Sequence, residues 1–502
     1  MNIQEQALFT KKLFGQLDNA AEITALIQGH GVETLGIIVR DLIMENVINY
    51  QRVSELYRAY IGQVPITSRR FENLNKLNNR LVNDFRGDII DGGVGYLFGN
   101  PISYSICDDN KTPTQTEELQ AKLKAFLRSN NIEDLDSITG KMAAICGYAY
   151  RLAYIDKQGE ERIMNINPWE ALTVNDTTLD VVQYGMIYYP VKMIINGGTV
   201  IERIKVEWYD YKNVTFLVQD TGGNYGLDPD YPNNPMPHMF DEVPLIKFIN
   251  NDAEQGDFEK VESLIDSYDR VMSDIQNEVE EFRLAYMGFF GIEPTSEGIL
   301  AMRQTGGIGI PEGGDIKFIT KDLNGAVGFL ENHKNTLYHN IYTFSKAVNM
   351  SDENFSGGAQ SGESRKWKLV GLENKAITKE RKFTRASRQM FKCIFTAWKK
   401  KLIKVDVNNL EIQFSRNLPI DLAYIADVLM KLKGSVSEET RLSLAPFITD
   451  VDSEIEQMKE DAAGGIDLDS LGNAPAPAPT DPNNTDNVLP LDANAKSNGT
   501  NG

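Results

Sequence analysis

Cysteine, histidine and long apolar runs are all scarce in this chain of 502 residues. The three cysteines, Cys107, Cys146 and Cys393, share no CxxC spacing and cannot form a disulfide framework. They read as small buried hydrophobes of a protein made in a reducing cytoplasm. The four histidines, His30, His238, His333 and His339, are too scattered for a zinc site, and the last pair does not share a helix face. No uncharged apolar run approaches the ~18–20 residues needed to cross a bilayer. The opening MNIQEQALFTKKLFGQLDN lacks the continuous apolar core of a signal peptide. The expectation is a soluble, cytoplasmically made protein with no membrane partner.

Catalytic signatures are missing as well. Gly140-Lys141 is followed by Met142 and lacks the glycine of a phosphate loop, and GGIGIPEGG (306–314) lacks the following lysine and reads as a tight β-turn. There is no GxSxG, HExxH or EF-hand pattern. Carboxylate pairs such as Asp266/Asp269 have metal-like spacing, but on an acidic amphipathic helix they read as a solvated face. No cofactor, metal or catalytic constellation is expected.

What the sequence has is charge, unevenly placed. Asp and Glu total 71 against 51 Lys and Arg, a formal charge of −20. Yet the stretch 365–404 carries fourteen Lys/Arg against two Glu, about +12, leaving about −32 for the rest. Bulk acidity argues against a tight nucleic-acid binder, because each neutralised phosphate strengthens binding and releases counterions.

The length implies more than one structural unit. Residues 1–100 read as helices broken by loops, one of them at about 76–96 and ended by Gly-Asn-Pro at 99–101. GYAYRLAYID–KQGE–ERIMNINP (147–168), VVQYGMIYYP and IERIKVEWYDYKNVTFLVQD are β-rich runs around turn residues, an antiparallel unit. VPLIKFIN adds a short strand. Phe258, Val261, Ile265, Tyr268, Met272, Ile275, Val279 and Phe282 then alternate in steps of three and four, the seam of a long amphipathic helix that wants a partner helix. Eleven carboxylates and three basic residues lie between 252 and 286, so its other face is acidic. A second helix at about 324–348, a small-residue loop NMSDENFSGGAQSGES, the basic helix 365–404, a β-like run at 409–415 and three short helices follow. The last 42 residues, with six Asp and one Lys, have the composition of disorder.

This order of parts resembles the portal protein, or head-to-tail connector, of tailed bacteriophages, in particular long-tailed phages of Gram-positive hosts. YLFGNPISYS (96–105), INPWEALTVND with VVQYGMIYY, VPLIKFINND, LIDSYDRVMSDIQNEVEEF (264–282), SGGAQSGES with LENKA, and SVSEETRLSLAPFITDVDSEIEQMKED (435–461) are each similar to family elements, and they occur in the same order. The resemblance covers about residues 70–462.

The resemblance implies an α+β, mainly helical subunit that assembles as a homo-oligomeric ring, a dodecamer in the virion, around double-stranded DNA in transit. It implies N-terminal helices and a β-rich wing at 1–250, a first stem helix at 251–286 with the seam Val261, Ile265, Tyr268, Met272, Ile275, Val279 and Phe282, and a clip at 287–322. A second stem helix would occupy 323–348. A tunnel loop at 349–364 would place Asn349, Asp352, Glu353, Asn354, Phe355, Ser356, Gly357, Gly358 and Gln360 beside DNA. A long wing helix and returning strand would fill 365–416, a crown 417–462 and a disordered acidic tail 463–502. The implied partners are the terminase large subunit, the head-completion adaptor, the scaffold and the major capsid protein. The implied location is the capsid portal vertex of the virion, with assembly in the host cytoplasm.

Elementary physics agrees with a conduit. An acidic wall keeps DNA contact loose, small residues slide past the groove, and Arg365, Lys366 and Lys368 would offer transient phosphate contacts. The rest of the basic face reads as pairing with acidic neighbours. Two other readings stand beside this one: a Mg-dependent nucleic-acid-processing enzyme, and a coiled-coil structural adaptor without a channel.

Overall fold

The computed structural model describes residues 16–17, 20–71 apart from 31, 77–108, 111–176, 181–195, 199–283, 286–290, 314–319, 324–349, 362–417 and 422–443, with a few isolated positions besides. It is an α+β fold. A short strand β1 (Gln16–Leu17) leads into helices α1 (Ala20–His30), α2 (Val32–Glu45) and α3 (Val47–Tyr60). Helix α4 (Phe85–Phe98) and strand β2 (Ser103–Ile106) follow. Helix α4 starts well after the expected residue 76. Asp84 caps it by accepting the Gly87 N–H at 2.9 Å, and residues 77–84 are not helical because another helix takes the N–H groups of Asn79, Leu81 and Asn83.

Two helices that the hydrophobic pattern left unassigned come next, α5 (Pro113–Ser129) and α6 (Ile132–Cys146). The start of α5 is nonetheless written locally, by a Thr112/Gln115 capping box with Pro113 in the first turn. Gly147 ends α6 at φ +89°, and a Cβ there would lie 1.9 Å from the Glu254 carbonyl, so only glycine fits. The hairpin β3 (Tyr148–Ile155) and β4 (Glu161–Ile166) pairs Tyr150 with Ile166 and Ile155 with Glu161. Its turn is pinned by Asp156 Oδ1, which accepts the Gln158 and Glu160 N–H groups, each at 2.9 Å.

The β-rich region makes two sheets, where one antiparallel unit was expected. Strands β5 (Ala171–Asn175), β6 (Val182–Ile195), β7 (Thr199–Tyr209), β8 (Asn213–Gln219), β9 (Tyr225–Leu227) and β10 (Met236–Pro237) join β1 in a seven-stranded sheet. Strand β11 (Leu245–Ile249) instead pairs antiparallel with β3 to give the order β11-β3-β4. The switch lets β3, whose residues from Tyr148 to Ala153 are buried on both faces, run between two cores.

Helix α7 (Glu262–Arg283), strands β12 (Tyr286–Phe290) and β13 (Asp315–Ile319), which pair antiparallel, and helix α8 (Asn324–Ser345) come next. Helix α9 (Gly362–Lys400), 39 residues and about 58 Å at 1.5 Å per residue, leads to β14 (Leu410–Gln413), which pairs with β2. Residues from 418 onward form a separate compact unit, in which α10 (Leu422–Leu432) and α11 (Glu438–Ser443) pack against each other.

Three apolar clusters organise residues 1–417. In the first, α3, α4, β3, the start of α7 and the end of α8 meet around Ile90, Tyr148, Phe258 and Ile341. The second gathers α5, α6, β2 and the far half of α9 around Phe126, Phe391 and the fully buried Trp398. The third seals α1 and α2 onto one face of the larger sheet, at Leu42, Met186 and Trp208.

Candidate functional site: the paired helices and the long basic helix

Helices α7 and α8 run antiparallel. Leu337 and Ile341, near the end of α8, share a core with Val261 and Ile265 at the start of α7. Phe85 stands between them, its ring 4.9 Å from that of Tyr268, 5.7 Å from Tyr338 and 5.9 Å from Tyr342. The Tyr342 hydroxyl donates to Asp88 at 2.8 Å, and burial, with the adjacent carboxylate, pushes its pKa well up.

The expected seam is buried at one end only. Val261 and Ile265 are fully buried and Tyr268 nearly so, whereas Met272 and Ile275 are half-buried and Val279 is 50% exposed. Val261 sits in a short 310 turn before the helix proper, and the side chain of Phe282 lies outside the described residues. Beyond Tyr268 the buried stripe turns polar: Asp269, Ser273 and Asn277.

Those three residues hold the extended segment 77–83. Asp269 Oδ1 accepts the Asn83 N–H at 2.9 Å, Ser273 Oγ accepts the Leu81 N–H at 2.9 Å, and Asn277 Oδ1 accepts the Asn79 N–H at 2.8 Å. Four helical residues rise about 6 Å and two extended residues about 6.6 Å, so every fourth helix side chain meets alternate strand amides. Arg69 pins the start of this strap, with Asp274 at 2.7 Å and the Asn79 carbonyl at 2.9 Å.

Part of the acidity of α7 and of the segment before it is therefore spent inside the chain. The buried guanidinium of Arg86 lies 2.6 Å from Asp266, 3.7 Å from Glu262 and 3.8 Å from Asp269. Glu259 pairs with Arg52 at 2.8 Å and Glu254 with Lys247 at 2.6 Å. Asp266 and Asp269, expected on a solvated face, instead flank an arginine. Among the described residues no group of three or more His, Cys, Asp or Glu could hold a metal ion.

Helix α9 makes the matching connections. Lys379 and Lys375 (3.3 Å) both reach the buried carboxylate of Asp257, and Lys375 also donates to the Ser345 carbonyl at the end of α8 at 2.9 Å. Burial by itself would raise the Asp257 pKa, but the two ammonium groups and a hydrogen bond from Asn250 outweigh it and hold the pKa down to about 2. Lys382 pairs with Asp252, Lys392 with Glu242 at 2.5 Å and Lys400 with Asp241 at 2.8 Å. Glu373 and Glu380 of the helix both pair with Arg416, and Glu373 accepts the Tyr96 hydroxyl at 2.5 Å. Burial and this carboxylate push Tyr96 up to about 12. Pairing with acidic neighbours is thus found within one subunit.

Of the expected loop residues, Asn349 is described and donates to the Tyr338 hydroxyl on α8. Asp352, Glu353, Asn354, Phe355, Ser356, Gly357, Gly358 and Gln360 lie outside the described residues. Arg365, Lys366 and Lys368 fall in the first turns of α9, which begins at Gly362; their side chains also lie outside the described residues.

Two structural elements have little signal in the sequence. The strap has no hydrophobic period, and its only signal is the recurrence of Asn at 79 and 83 opposite Asp, Ser and Asn at a spacing of four. The other is Arg151, fully buried, paired with Asp136 at 2.8 Å and stacked on Phe248 and Phe383 at 4.8 and 5.7 Å. An arginine within an apolar strand gives no local hint of such a cage.

Residues 41–467 match the family model described as phage portal protein, SPP1 Gp6-like. A portal protein of Bacillus phage SPP1 is 26% identical over 459 residues, covering 88% of this chain and 86% of that one. A portal protein of Clostridium phage phiCD119 is 23% identical over 401 residues, covering 77% and 86%.

Proposed function

The chain belongs to the SPP1 Gp6-like family of phage portal proteins, and on that footing we propose how its parts serve a portal. A portal is the ring-shaped channel at one capsid vertex through which double-stranded DNA is packaged and ejected. Here α7 and α8 are the stem, each about 33 Å long, with the β12/β13 pairing beyond them as the root of the clip. The clip meets the terminase large subunit first and the head-completion adaptor afterwards. The segment 349–361, which ends where α9 begins, faces DNA, and α9 spans a wing that meets the scaffold and major capsid protein during assembly in the host cytoplasm.

The observation that carries this reading is the family match across residues 41–467, which contains both helices, the hairpin strands and α9 in order. The pairing of α7 carboxylates with Arg86 and Arg69, and of α9 lysines with Asp257, Asp252, Glu242 and Asp241, supports it, because a conduit needs walls that do not bind phosphate tightly. Unlike an enzyme, such a wall needs no converging carboxylates. The test is negative-stain imaging of the purified full chain. A ring with a central hole is the expected result; a dimer or trimer without one overturns the reading.

A further inference from the structure

Helix α9 ends in a way that its sequence disfavours. The Ile403 N–H donates to the Trp398 carbonyl at 3.0 Å and the Leu402 N–H to the Lys399 carbonyl at 3.1 Å, the paired bonds that close a helix through a left-handed residue. That residue is Leu402, at φ +66°, where glycine or asparagine is the low-strain choice and a Cβ crowds the next carbonyl. Its side chain is also 90% exposed, the most exposed large hydrophobic among the described residues. Ile403 packs against the Trp398 core and accounts for the turn. Nothing in the fold accounts for a leucine at its apex, which costs both strain and exposed apolar surface.

The surface around Leu402 is basic. At 100° per residue Arg381, Arg388 and Lys399 fall within about 20° of one line, along about 27 Å of helix. All three are exposed and make no ion pair among the described residues. Beside Lys399 opens a groove of about 630 Å³, lined by Phe395, Val405 and Val407 and edged by Lys392, Lys399 and Lys404. Its lining is part apolar and part cationic.

We propose that Leu402 and this groove dock a protein segment in which acidic and large apolar side chains alternate. Leu402 and Val405 take its apolar residues, and Lys399 and Lys404 take its carboxylates. Charge complementarity favours a polypeptide over nucleic acid. Asp108 on the same rim is already paired with Lys111 at 2.7 Å, and Asp406 repels an unbroken line of phosphates, whereas a peptide places its carboxylates selectively. An exposed leucine, moreover, offers nothing to a phosphate backbone.

The proposal rests on the portal reading only for the setting in which the partner is met. The test places a photocrosslinker beside the groove, as Asn408→p-benzoylphenylalanine, in the full chain produced in infected host cells. Expected is a covalent adduct with a different protein, joined through a peptide rich in Asp/Glu and large apolar residues. The adduct falls at least tenfold in an L402G background and in a K399E/K404E background. L402G relieves the left-handed strain, so its melting temperature rises by roughly 1–3 °C while the adduct is lost, a combination that a purely structural leucine does not produce. An adduct with DNA or with another copy of this chain overturns the proposal. So does no adduct, or an adduct unchanged in L402G. Rings that form normally in any of these cases leave the portal reading standing.

Discussion

Asp257 shows how much a single side chain joins here. Its carboxylate, 3% exposed, ties the entry to α7 to two lysines of α9, one of which also holds the Ser345 carbonyl at the end of α8. Breaking a buried pair by removing one partner typically costs about 3–5 kcal/mol, because the other charge stays desolvated. Asp257→Asn is expected to cost that much in urea unfolding at pH 7. The pH dependence has a definite sign. The folded pKa is depressed to about 2, so the stabilisation is complete above the unfolded-state pKa of about 4 and disappears as pH falls toward 2. The difference between wild type and Asp257→Asn should therefore shrink over that window and stay constant above it. A difference that does not change with pH would show that Asp257 is not the charged partner. Arg151 belongs to the same class: its guanidinium is buried among Asp136, Phe248 and Phe383, and substitution leaves Asp136 without its cation.

At the scale of elements, α7 is defined by what it holds as much as by its own period. Its first half buries Val261, Ile265 and Tyr268 against α8; its second half offers Asp269, Ser273 and Asn277 to the backbone of 77–83. Hydrogen exchange reads this directly. The amides of Asn79, Leu81 and Asn83, in a segment with no helix or sheet ladder, should exchange slowly. Asp269→Ala should speed the exchange of this segment by tenfold or more, equivalent to about 1.4 kcal/mol. Fast exchange in the wild-type chain would remove the strap. The heptad spacing made the first half of α7 legible. The second half was not, because Met272, Ile275 and Val279 continue the apolar period while the strap takes over the buried stripe. The charge inversion of α9 was legible for the same local reason: fourteen basic residues in one stretch need no fold to be counted.

For the whole molecule, the segment 349–361 is where a portal's moving cargo passes closest in the proposed arrangement. Replacing Gly357 and Gly358 with tryptophan should leave rings intact in negative stain while reducing packaged DNA severalfold in an infection. Normal packaging would remove the loop from the mechanism. Ring formation in this variant separates a conduit defect from a folding defect. Bulk acidity takes on a more specific meaning at this scale. Much of the negative charge at the start of α7 and in the segment before it is paired with Arg86, Arg52, Lys247, Lys375, Lys379 and Lys382 of the same chain.

The sequence by itself determined the α+β class, the β-rich hairpins, the two helices joined through a small insertion and the basic helix after them. Each depends on period, turn chemistry or charge, which neighbouring residues write locally. Only the tertiary structure decided that the strands divide into two sheets, that α4 starts at Phe85, and that Asp266 and Asp269 flank an arginine. It alone placed a leucine in a left-handed, exposed turn at the end of α9. These depend on partners far apart in the chain, such as Asn79 with Asn277 or Asp257 with Lys379, and on competition for the same backbone amides. A local pattern does not record which distant group wins that competition.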